Sequence, residues 1–365
     1  MPNKMLWEIL DKKKFKVELF SSNLNLPVNI SFISTQGSKK KDPLLYVTEL
    51  YSGVKVVNND GSFESFAKDL LNYKPDFSFP GTGESGVIGI VSNPDDNDVY
   101  VGLIYKDKDK FFSKIEKYKT SNLIKPIKKE TIIEGIPAIN AAHQIQALTI
   151  GPDNKLYVNT GDGMIDPEVA QDDNDLRGKI LRMNLDGSIP ADNPIPNSFI
   201  YAKGLRNPFG AAWRNSNNRL YISDNGPMYD DRIAMMEPGK NYGWPNSMRQ
   251  NSIFWWEKTL GITGIAFMQG EQFPKKYMDY LFVAMFGETY KFGKGVKGKI
   301  IYKINMNLKN EVKSCEEFLK YTGDGPASIV GLAFGLDGLY FTDLFGEEGF
   351  KNKGINANIY RIISQ

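Results

Sequence analysis

Two residue types that build reactive centres are scarce in this sequence. Cysteine occurs once, at Cys315, and histidine occurs once, at His143. A single cysteine excludes an intrachain disulfide and a thiolate metal cluster. Histidine is the side chain that most often exchanges protons near neutral pH, so a general base is sought first at His143. The alternative is a histidine that only forms hydrogen bonds between structural elements.

Long apolar segments and an excess of charge of one sign are also lacking. No stretch approaches the roughly 18 continuous apolar residues of a membrane-spanning helix, so stable membrane insertion is not expected. Lysine and arginine total 45 against 43 acidic residues, which gives a net charge of +2. Such a balance does not draw a protein to nucleic acid. The oligomeric state stays open.

The N-terminal segment lacks the features of an intact signal peptide. Residues 1–14 carry several charges and have no apolar core of roughly 7 to 15 residues. The compartment therefore stays open: we expect an extracytoplasmic protein if a signal peptide has been removed, and a cytoplasmic protein otherwise.

A polar turn followed by a short apolar strand recurs along the chain. Six copies are present, and their central aromatic residues stand 54 to 64 residues apart: Tyr46, Tyr100, Tyr157, Tyr221, Phe282 and Tyr340. A blade of four antiparallel strands takes roughly 40 to 60 residues, and closure into a ring protects the sheet edges. The repeat therefore predicts an all-β fold, a six-bladed β-propeller of four-stranded antiparallel blades.

The propeller is expected to occupy residues 1–365 as a single domain. Residues 1–14 are expected to be a flexible or helical extension. The strand that begins at Phe15 is expected to pair beside residues 359–363 and so to complete the last blade. Two stacked β-sandwich domains are the rival architecture, but they need a linker near the midpoint, and none is found.

Motifs in a fixed order begin at the histidine. They are Ala142-His143-Gln144, Asn159-Thr-Gly-Asp-Gly163, Gly204-Leu-Arg-Asn-Pro-Phe-Gly210, Ser223-Asp-Asn-Gly-Pro227 and Asn241-Tyr-Gly-Trp-Pro245. In this order and spacing the set resembles the soluble dehydrogenases of glucose and other aldose sugars that depend on pyrroloquinoline quinone (PQQ), within the glucose/sorbosone dehydrogenase superfamily. Weaker similarity extends over nearly the whole chain.

The resemblance implies a catalytic base, a metal ion and a cofactor. His143 would take the proton of a sugar hydroxyl while the adjacent carbon passes a hydride to PQQ. Calcium, held by the backbone carbonyls of Gly226 and Pro227, would polarise the quinone as a Lewis acid. Arg206 and Asn207 match positions that contact the cofactor, and Arg206 would stabilise charge on the quinone oxygen. The implied activity is that of an oxidoreductase acting on a sugar.

Aromatic residues at 254–256 match a place where relatives carry aromatics near the sugar. Sugar rings stack their apolar faces on indoles, so Trp255 and Trp256 are candidate substrate residues. Packing between blades is the alternative role.

Several positions depart from the pattern of the family. PQQ carries three carboxylates, so a tight site needs cations around it. The resemblance places cations at three positions that are uncharged here, an acid at a fourth and a glutamine at a fifth: Gly287, Ser328, Val330, Ala142 and Phe209. Candidates to compensate are Lys203, Lys240, Lys291 and Lys294. These changes leave PQQ binding open.

Two other functions also stay open. One is a non-redox, calcium-stabilised propeller that binds a glycan or a protein; the other is a metal-dependent sugar lactonase. An enzyme of the dehydrogenase type predicts that His143, Arg206 and Gly226-Pro227 converge on one axial pocket. A binding module predicts a shallow top face and a filled channel, and a lactonase predicts carboxylates around its metal.

Overall fold

The computed structural model describes residues 5–76, 83–139, 142–288, 298–349 and 356–365. Almost all regular structure in these ranges is β-strand. Two strands precede the first blade, β1 (Trp7–Ile9) and β2 (Phe15–Leu24). Two single-turn 3₁₀ helices lie in loops, at Pro167–Ala170 and Lys275–Tyr277. None of the described helices is long and apolar enough to cross a membrane.

The first three blades each contain four consecutive strands. Blade one comprises β3 (Pro27–Phe32), β4 (Pro43–Glu49), β5 (Gly53–Asn58) and β6 (Phe63–Lys68). Blade two comprises β7 (Val87–Ser92), β8 (Val99–Asp107), β9 (Lys110–Thr120) and β10 (Pro126–Pro137). Blade three comprises β11 (Ile145–Ile150), β12 (Leu156–Thr160), β13 (Lys179–Met183) and β14 (Ile200–Lys203).

The last three blades continue the pattern, and two of them recruit a strand from the N-terminus. Blade four comprises β15 (Pro208–Arg214), β16 (Arg219–Asp224), β17 (Asp231–Met235) and β18 (Phe254–Trp256). Blade five comprises β19 (Ile262–Phe267), β20 (Leu281–Met285), β21 (Ile300–Met306), β22 (Val312–Tyr321) and β1. Blade six comprises β23 (Ile329–Phe334), β24 (Leu339–Asp343), β25 (Ala357–Ser364) and β2.

The six sheets form a closed ring, which confirms the predicted six-bladed propeller. The first strand of each blade contacts the first strands of both neighbouring blades, so β3, β7, β11, β15, β19 and β23 surround the axis. The repeated aromatic residues all lie in the second strand of a blade and are buried between blades. The hydroxyl of Tyr46, for example, donates to the carbonyl of Leu123 in the next blade, at 2.7 Å.

Every inner strand carries a register shift at the same level, after its first residue or two. Such bulges redirect strands and leave backbone groups to be paired elsewhere. Buried hydroxyls on the second strands form hydrogen bonds with these backbone groups. Ser223 accepts from the N–H of Gly210 at 2.8 Å and donates to the carbonyl of Thr263 in the next blade at 2.6 Å. The same bridge therefore fixes both the bulge and the blade boundary.

Ring closure uses both ends of the chain. Strand β2 pairs antiparallel with β25, with Phe15 opposite Ser364, as the sequence predicted. In addition, the hydroxyl of Thr342 in blade six donates to the carbonyl of Val28 in blade one, at 2.8 Å. The last blade is thus completed by an N-terminal strand, and its second strand is tied to blade one.

The segment before β2 differs from the expectation of a flexible or helical extension. Residues 7–9 form β1, a fifth strand paired with the outer edge of blade five. Trp7 is only 1% exposed and packs on Tyr321 and Phe341, with ring centroids 5.0 and 5.2 Å away. Charged residues around Trp7 concealed this apolar anchor in the sequence.

Candidate active site

A cavity of about 690 Å³ opens at one end of the central channel. Each of the six inner strands contributes a residue to its lining: Val28, Ile88, Gln146, Phe209, Thr263 and Val330. The cavity also contains every residue that the sequence assigned to base, cofactor or calcium binding, namely His143, Arg206, Asn207, Gly226 and Pro227. A separate cavity of about 460 Å³ lies toward the opposite end of the same strands.

His143 lies two residues before β11 and is hydrogen-bonded to a carboxylate. Its Nδ1 atom lies 2.6 Å from Oδ1 of Asp162, which follows β12, and both side chains are buried. An acid in this position fixes the imidazole ring and stabilises the imidazolium formed when the other nitrogen takes a proton. Nε2 of His143 is therefore the nitrogen left for a ligand in the cavity.

The backbone holds His143 in an unusual conformation. Its φ is +58°, in the left-handed region that non-glycine residues seldom adopt. Its N–H donates to Glu84 at 2.8 Å, and its carbonyl accepts from the N–H of Gly163 at 3.1 Å. A Cβ atom at Gly161 would lie 2.6 Å from the His143 carbonyl group, so only glycine permits this approach. These contacts present the ring to the cavity.

Asp162 is positioned by further donors. Trp244 donates its indole N–H to Oδ2 at 2.8 Å, and the N–H of Met164 donates to Oδ1 at 2.9 Å. Burial acts to raise the pKa of Asp162, but the hydrogen bond and charge of His143, the Met164 N–H and the charge of Arg206 together hold it below its ordinary value. The carboxylate therefore remains ionised at neutral pH.

Arg206 and Asn207 are presented by a buried ion pair beneath them. The carboxylate of Asp224, at the end of β16, accepts from the backbone N–H of Arg206 at 3.2 Å and of Asn207 at 2.8 Å. Its other oxygen pairs with Arg232 at 2.7 Å, and both partners are fully buried. Arg232 also donates to the carbonyls of Gly204 and Met248, at 3.1 and 2.8 Å. The loop that carries Arg206 is therefore rigid.

The guanidinium of Arg206 contacts the turn to which the resemblance assigns calcium binding. It donates to the carbonyls of Asn225 and Gly226, at 3.0 and 2.8 Å. It also lies over the ring of Trp244, 5.5 Å from the centroid. Burial lowers its pKa, against the opposing charges of Asp162 and Asp224. Through Trp244, the arginine and the His143–Asp162 pair belong to one connected group.

Asp231 fixes the turn at Gly226-Pro227. It accepts from the N–H of Gly226 at 2.9 Å, from the hydroxyl of Thr259 at 2.7 Å, and from the N–H groups of Leu260 and Gly261 at 2.6 and 2.9 Å. Burial raises the pKa of this carboxyl, opposed by these four donors. A single buried side chain thus ties the turn to the next blade.

The donors at this turn do not fit calcium. Calcium takes six to eight oxygen ligands. The resemblance offers two carbonyls, and that of Gly226 already accepts from a guanidinium, whose charge repels a second cation. Among the residues that the structure describes, no group of three acidic, histidine or cysteine side chains could hold a metal ion. The cluster of carboxylates that a lactonase would place around its metal is likewise not found among the described residues.

One half of the cavity is polar and the other half is apolar. The polar half holds His143, Glu84, Gln146, Arg206 and Asn207. The amide of Gln146 donates to Glu84 at 2.8 Å, whereas its Oε1 is buried without a partner. The apolar half, here termed the apolar wall, consists of Leu26, Val28, Leu50, Ile88, Phe209, Phe286, Val330, Leu344 and Phe345.

The described residues do not supply the cations that PQQ would need. Gly287 and Val330 line the cavity as uncharged residues, and Ser328 is buried, with its hydroxyl bonded to the carbonyl of Pro326. Of the lysines considered as substitutes, Lys203 pairs with Asp173 and Lys240 with Glu237, both outside the cavity. Lys291 and Lys294 lie outside the described residues. A trianionic cofactor therefore does not fit the described donor set.

The two candidate substrate residues lie away from the cavity. Trp255 and Trp256 lie in β18, the outermost strand of blade four, and do not line the cavity. Trp256 packs on Phe254 and Tyr302, with ring centroids 4.7 and 5.9 Å away. Trp255 is 38% exposed beneath the guanidinium of Arg249. These aromatics cover the outer edge of the blade.

Sequence reasoning missed three residues of the site. Asp162 and Trp244 stood within the quoted motifs, and Glu84 lay in a loop before β7. Position along the strand was the one feature of the sequence that could have revealed Asp162. It follows the second strand of its blade, just as Asp224 ends the second strand of the next blade, and side chains at this level reach the channel mouth. The fold and the site together define a six-bladed propeller with a buried histidine–aspartate pair at its axis.

The chain belongs to the Glucose / Sorbosone dehydrogenase family, whose sequence model matches residues 38–320. It is 32% identical over 268 residues to quinoprotein glucose dehydrogenase B of Acinetobacter calcoaceticus, covering 64% of this chain and 53% of the relative. It is 30% identical over 145 residues to aldose sugar dehydrogenase YliI of Escherichia coli, covering 33% of this chain and 39% of the relative. The matched segments thus span about half or less of these relatives.

Solved structures share the fold over nearly the whole chain. The apo form of the soluble aldose sugar dehydrogenase of Escherichia coli superposes with a TM-score of 0.77 at 20% identity, covering 96% of this chain and 100% of that one. The PQQ-bound aldose sugar dehydrogenase of Streptomyces coelicolor gives a TM-score of 0.71 at 23% identity, covering 96% and 98%. At such identities the likeness establishes the propeller fold.

Proposed function

We propose that this chain is an oxidoreductase that oxidises a sugar hydroxyl and passes the electrons to a quinone bound in the same cavity. The observation that carries the proposal is the 2.6 Å hydrogen bond between His143 and Asp162 at the wall of the axial cavity. Family membership and the names of the relatives, which are sugar dehydrogenases, support the same reaction class.

The residues of the polar half have separate roles in the proposed reaction. Nε2 of His143 takes the hydroxyl proton, and Asp162 holds the ring and stabilises its positive charge. Arg206 provides a positive charge, at a fixed place, for an oxygen that becomes negative during the reaction. Gln146, with its unpartnered Oε1, and Glu84 are acceptors for the other hydroxyls of a sugar. PQQ is the quinone that the family resemblance implies.

The cavity is large enough to hold two ligands side by side. Its volume of about 690 Å³ lies within the range of roughly 300 to 1,000 Å³ that is typical of small-molecule sites. A sugar would occupy the polar half and a planar acceptor the apolar half. A non-redox binding propeller would need neither an open axial cavity nor a buried acid–histidine pair within it.

The test is a dye-linked oxidation assay with a panel of aldoses, using PQQ in one series and an uncharged quinone in another. His143→Gln is compared with wild type and with Lys309→Gln, an exposed control on blade five. Removing a general base typically lowers turnover roughly 10² to 10⁴-fold, so we expect that loss in His143→Gln at unchanged melting temperature. Unchanged turnover in His143→Gln, or no sugar oxidation with either quinone, would refute the proposal.

A further inference from the structure

We propose that the oxidant of this site is an uncharged quinone rather than PQQ, an inference that rests on the proposed function. The charged side chains lining the described cavity balance: Arg206 and Lys258 are opposed by Glu84 and Glu288. PQQ would bring three carboxylates into this neutral surrounding. Each would lose its hydration without gaining a cation in return, which disfavours binding.

The two lining cations are too few to pair with three cofactor carboxylates. Arg206 already donates to the carbonyls of Asn225 and Gly226 and lies against Trp244. Lys258 is exposed at the rim of the cavity, where water screens its charge. Neither residue lies on the apolar wall, so a bound trianion would have to turn some of its charge toward hydrocarbon.

Closely packed, uncharged residues occupy the positions at which the resemblance places cations. Gly287 has φ +113°, and its Cα would lie 2.3 Å from a Cβ at Gly298, so the backbones touch. Ser328 is 1% exposed, and its N–H donates to Asp343. Val330 is 2% exposed and packs within the apolar wall. These sites are built for close packing.

An uncharged quinone matches the same surfaces. Its ring would pack on the apolar wall, where Phe286 and Phe345 meet edge to face with centroids 5.8 Å apart. Its carbonyl oxygen would face the guanidinium of Arg206. Two further apolar side chains of the lining, Met164 and Met228, are 49% and 79% exposed, so apolar surface is present where the cavity meets solvent. A ligand with an apolar substituent can therefore extend outward.

The reaction balances with such an acceptor. The hydroxyl proton moves to Nε2 of His143, and the hydride on the same carbon moves to the quinone as its C–H bond breaks and the C=O bond forms. The reduced quinone then takes the proton from the imidazolium. One alcohol and one quinone give one carbonyl compound and one hydroquinone, and no other oxidant is consumed.

The experiment compares two probes for binding to the whole chain by isothermal titration calorimetry. One is PQQ, with and without added calcium; the other is menadione, an uncharged naphthoquinone. We expect menadione to bind about 100-fold more tightly than PQQ, because unpaired buried carboxylates are strongly disfavoured. Added calcium should not change either affinity. Tight, calcium-dependent PQQ binding, or no binding of menadione, would overturn the inference.

A variant that adds the missing charge sharpens the test. Val330→Arg should strengthen PQQ binding about tenfold or more through a charge-assisted contact, while the matched control Val330→Leu should not. No gain for PQQ in a folded Val330→Arg would count against the inference. If this variant fails to fold, the affinities of the wild-type protein for PQQ and menadione still test the inference.

Failure of this inference is distinguishable from failure of the proposed function. Sugar oxidation with PQQ but not with menadione would overturn the inference and leave the proposed function intact. Binding of menadione without oxidation of any sugar by either quinone would support the assigned ligand class and overturn the proposed function.

Discussion

The indole Nε1 of Trp244 lies 2.8 Å from Oδ2 of Asp162, the carboxylate oxygen that His143 does not use. The face of the same indole lies 5.5 Å from the guanidinium of Arg206. One aromatic side chain thus contacts both Asp162, the partner of the proposed base, and Arg206, the proposed source of positive charge. The hydrogen bond to Asp162 and the contact with Arg206 can be altered separately.

Asp162→Asn should abolish most activity without unfolding the protein. The amide keeps the size of the carboxylate but loses the charge that stabilises the imidazolium, and the equivalent change in serine proteases lowers turnover about 10⁴-fold. We expect a loss of about 10² to 10⁴-fold in kcat, measured in the dye-linked assay. Asp337→Asn, which removes a surface ion pair with Arg361, is the matched control and should keep wild-type turnover. Equal activity in the two variants would contradict this role.

Trp244→Phe should act through Asp162. Phenylalanine keeps an aromatic face for Arg206 but removes the N–H donor, and hydrogen bonds to ionised groups favour the ionised form. The pKa of Asp162 should therefore rise, so the acid limb of the pH–kcat profile should move to higher pH. A hydrogen bond to a charged group contributes about 1.5 to 3 kcal/mol, which sets the scale for the loss in kcat. A lower rate with an unmoved acid limb would indicate a purely structural role.

Arg232→Met should destabilise the fold more than the double variant Asp224→Asn/Arg232→Met. The single change leaves the buried charge of Asp224 unpaired, which typically costs about 3 to 5 kcal/mol. The free energy of unfolding is measured by urea titration at neutral pH. In the double variant no unpaired charge remains, so part of the stability should return. Additive losses would show that the two side chains do not act as a pair.

Asp343 should make stability depend on pH. Its Oδ1 accepts from the N–H groups of Ser328 and Gly346, whereas Oδ2 is buried without a partner. Burial raises the pKa of this carboxyl from 3.8 to about 7, against those two donors. The folded state therefore binds the proton more tightly than the unfolded state. The resulting contribution to stability is full below about pH 4 and is lost as the pH rises to about 7.

Asp343→Asn removes this titration. The stability of the variant relative to wild type should rise between about pH 4 and pH 7, by at most about 1.4 kcal/mol per pH unit, and then level off. Urea unfolding of both proteins across that range gives the difference directly. A difference that does not vary with pH would mean that the carboxyl does not titrate in this window.

The fold was predictable because the repeat lies in the most buried strand of each blade. Tyr46 and its five counterparts mark second strands, whose apolar runs are continuous and hence easily seen. The pairing of β2 with β25 followed from the need to close the ring. The strand β1 was missed because three residues with one buried tryptophan produce too short a pattern.

The candidate site was predictable in part, for a geometric reason. His143, Arg206 and Gly226 lie beside strand ends at the same mouth of the channel, so motif order alone brings them together. Asp162 and Trp244 depend on the paths of two loops, which periodicity does not encode. The sequence did not reveal that Trp255 and Trp256 lie on an outer strand, because aromatic residues cover outer blade edges as readily as they line pockets.

The bridge from Thr342 to Val28 and the pairing of β2 with β25 also bear on how the molecule is made. Strand β2 lies at residues 15–24 and its partner β25 at residues 357–364, so the strands of five blades are synthesised between them. Until β25 is available, β2 has no partner strand, and such long-range pairing is slow to form. The ring can therefore close only after β25 has been synthesised, so a nascent chain carries β2 without its partner while the intervening blades are made.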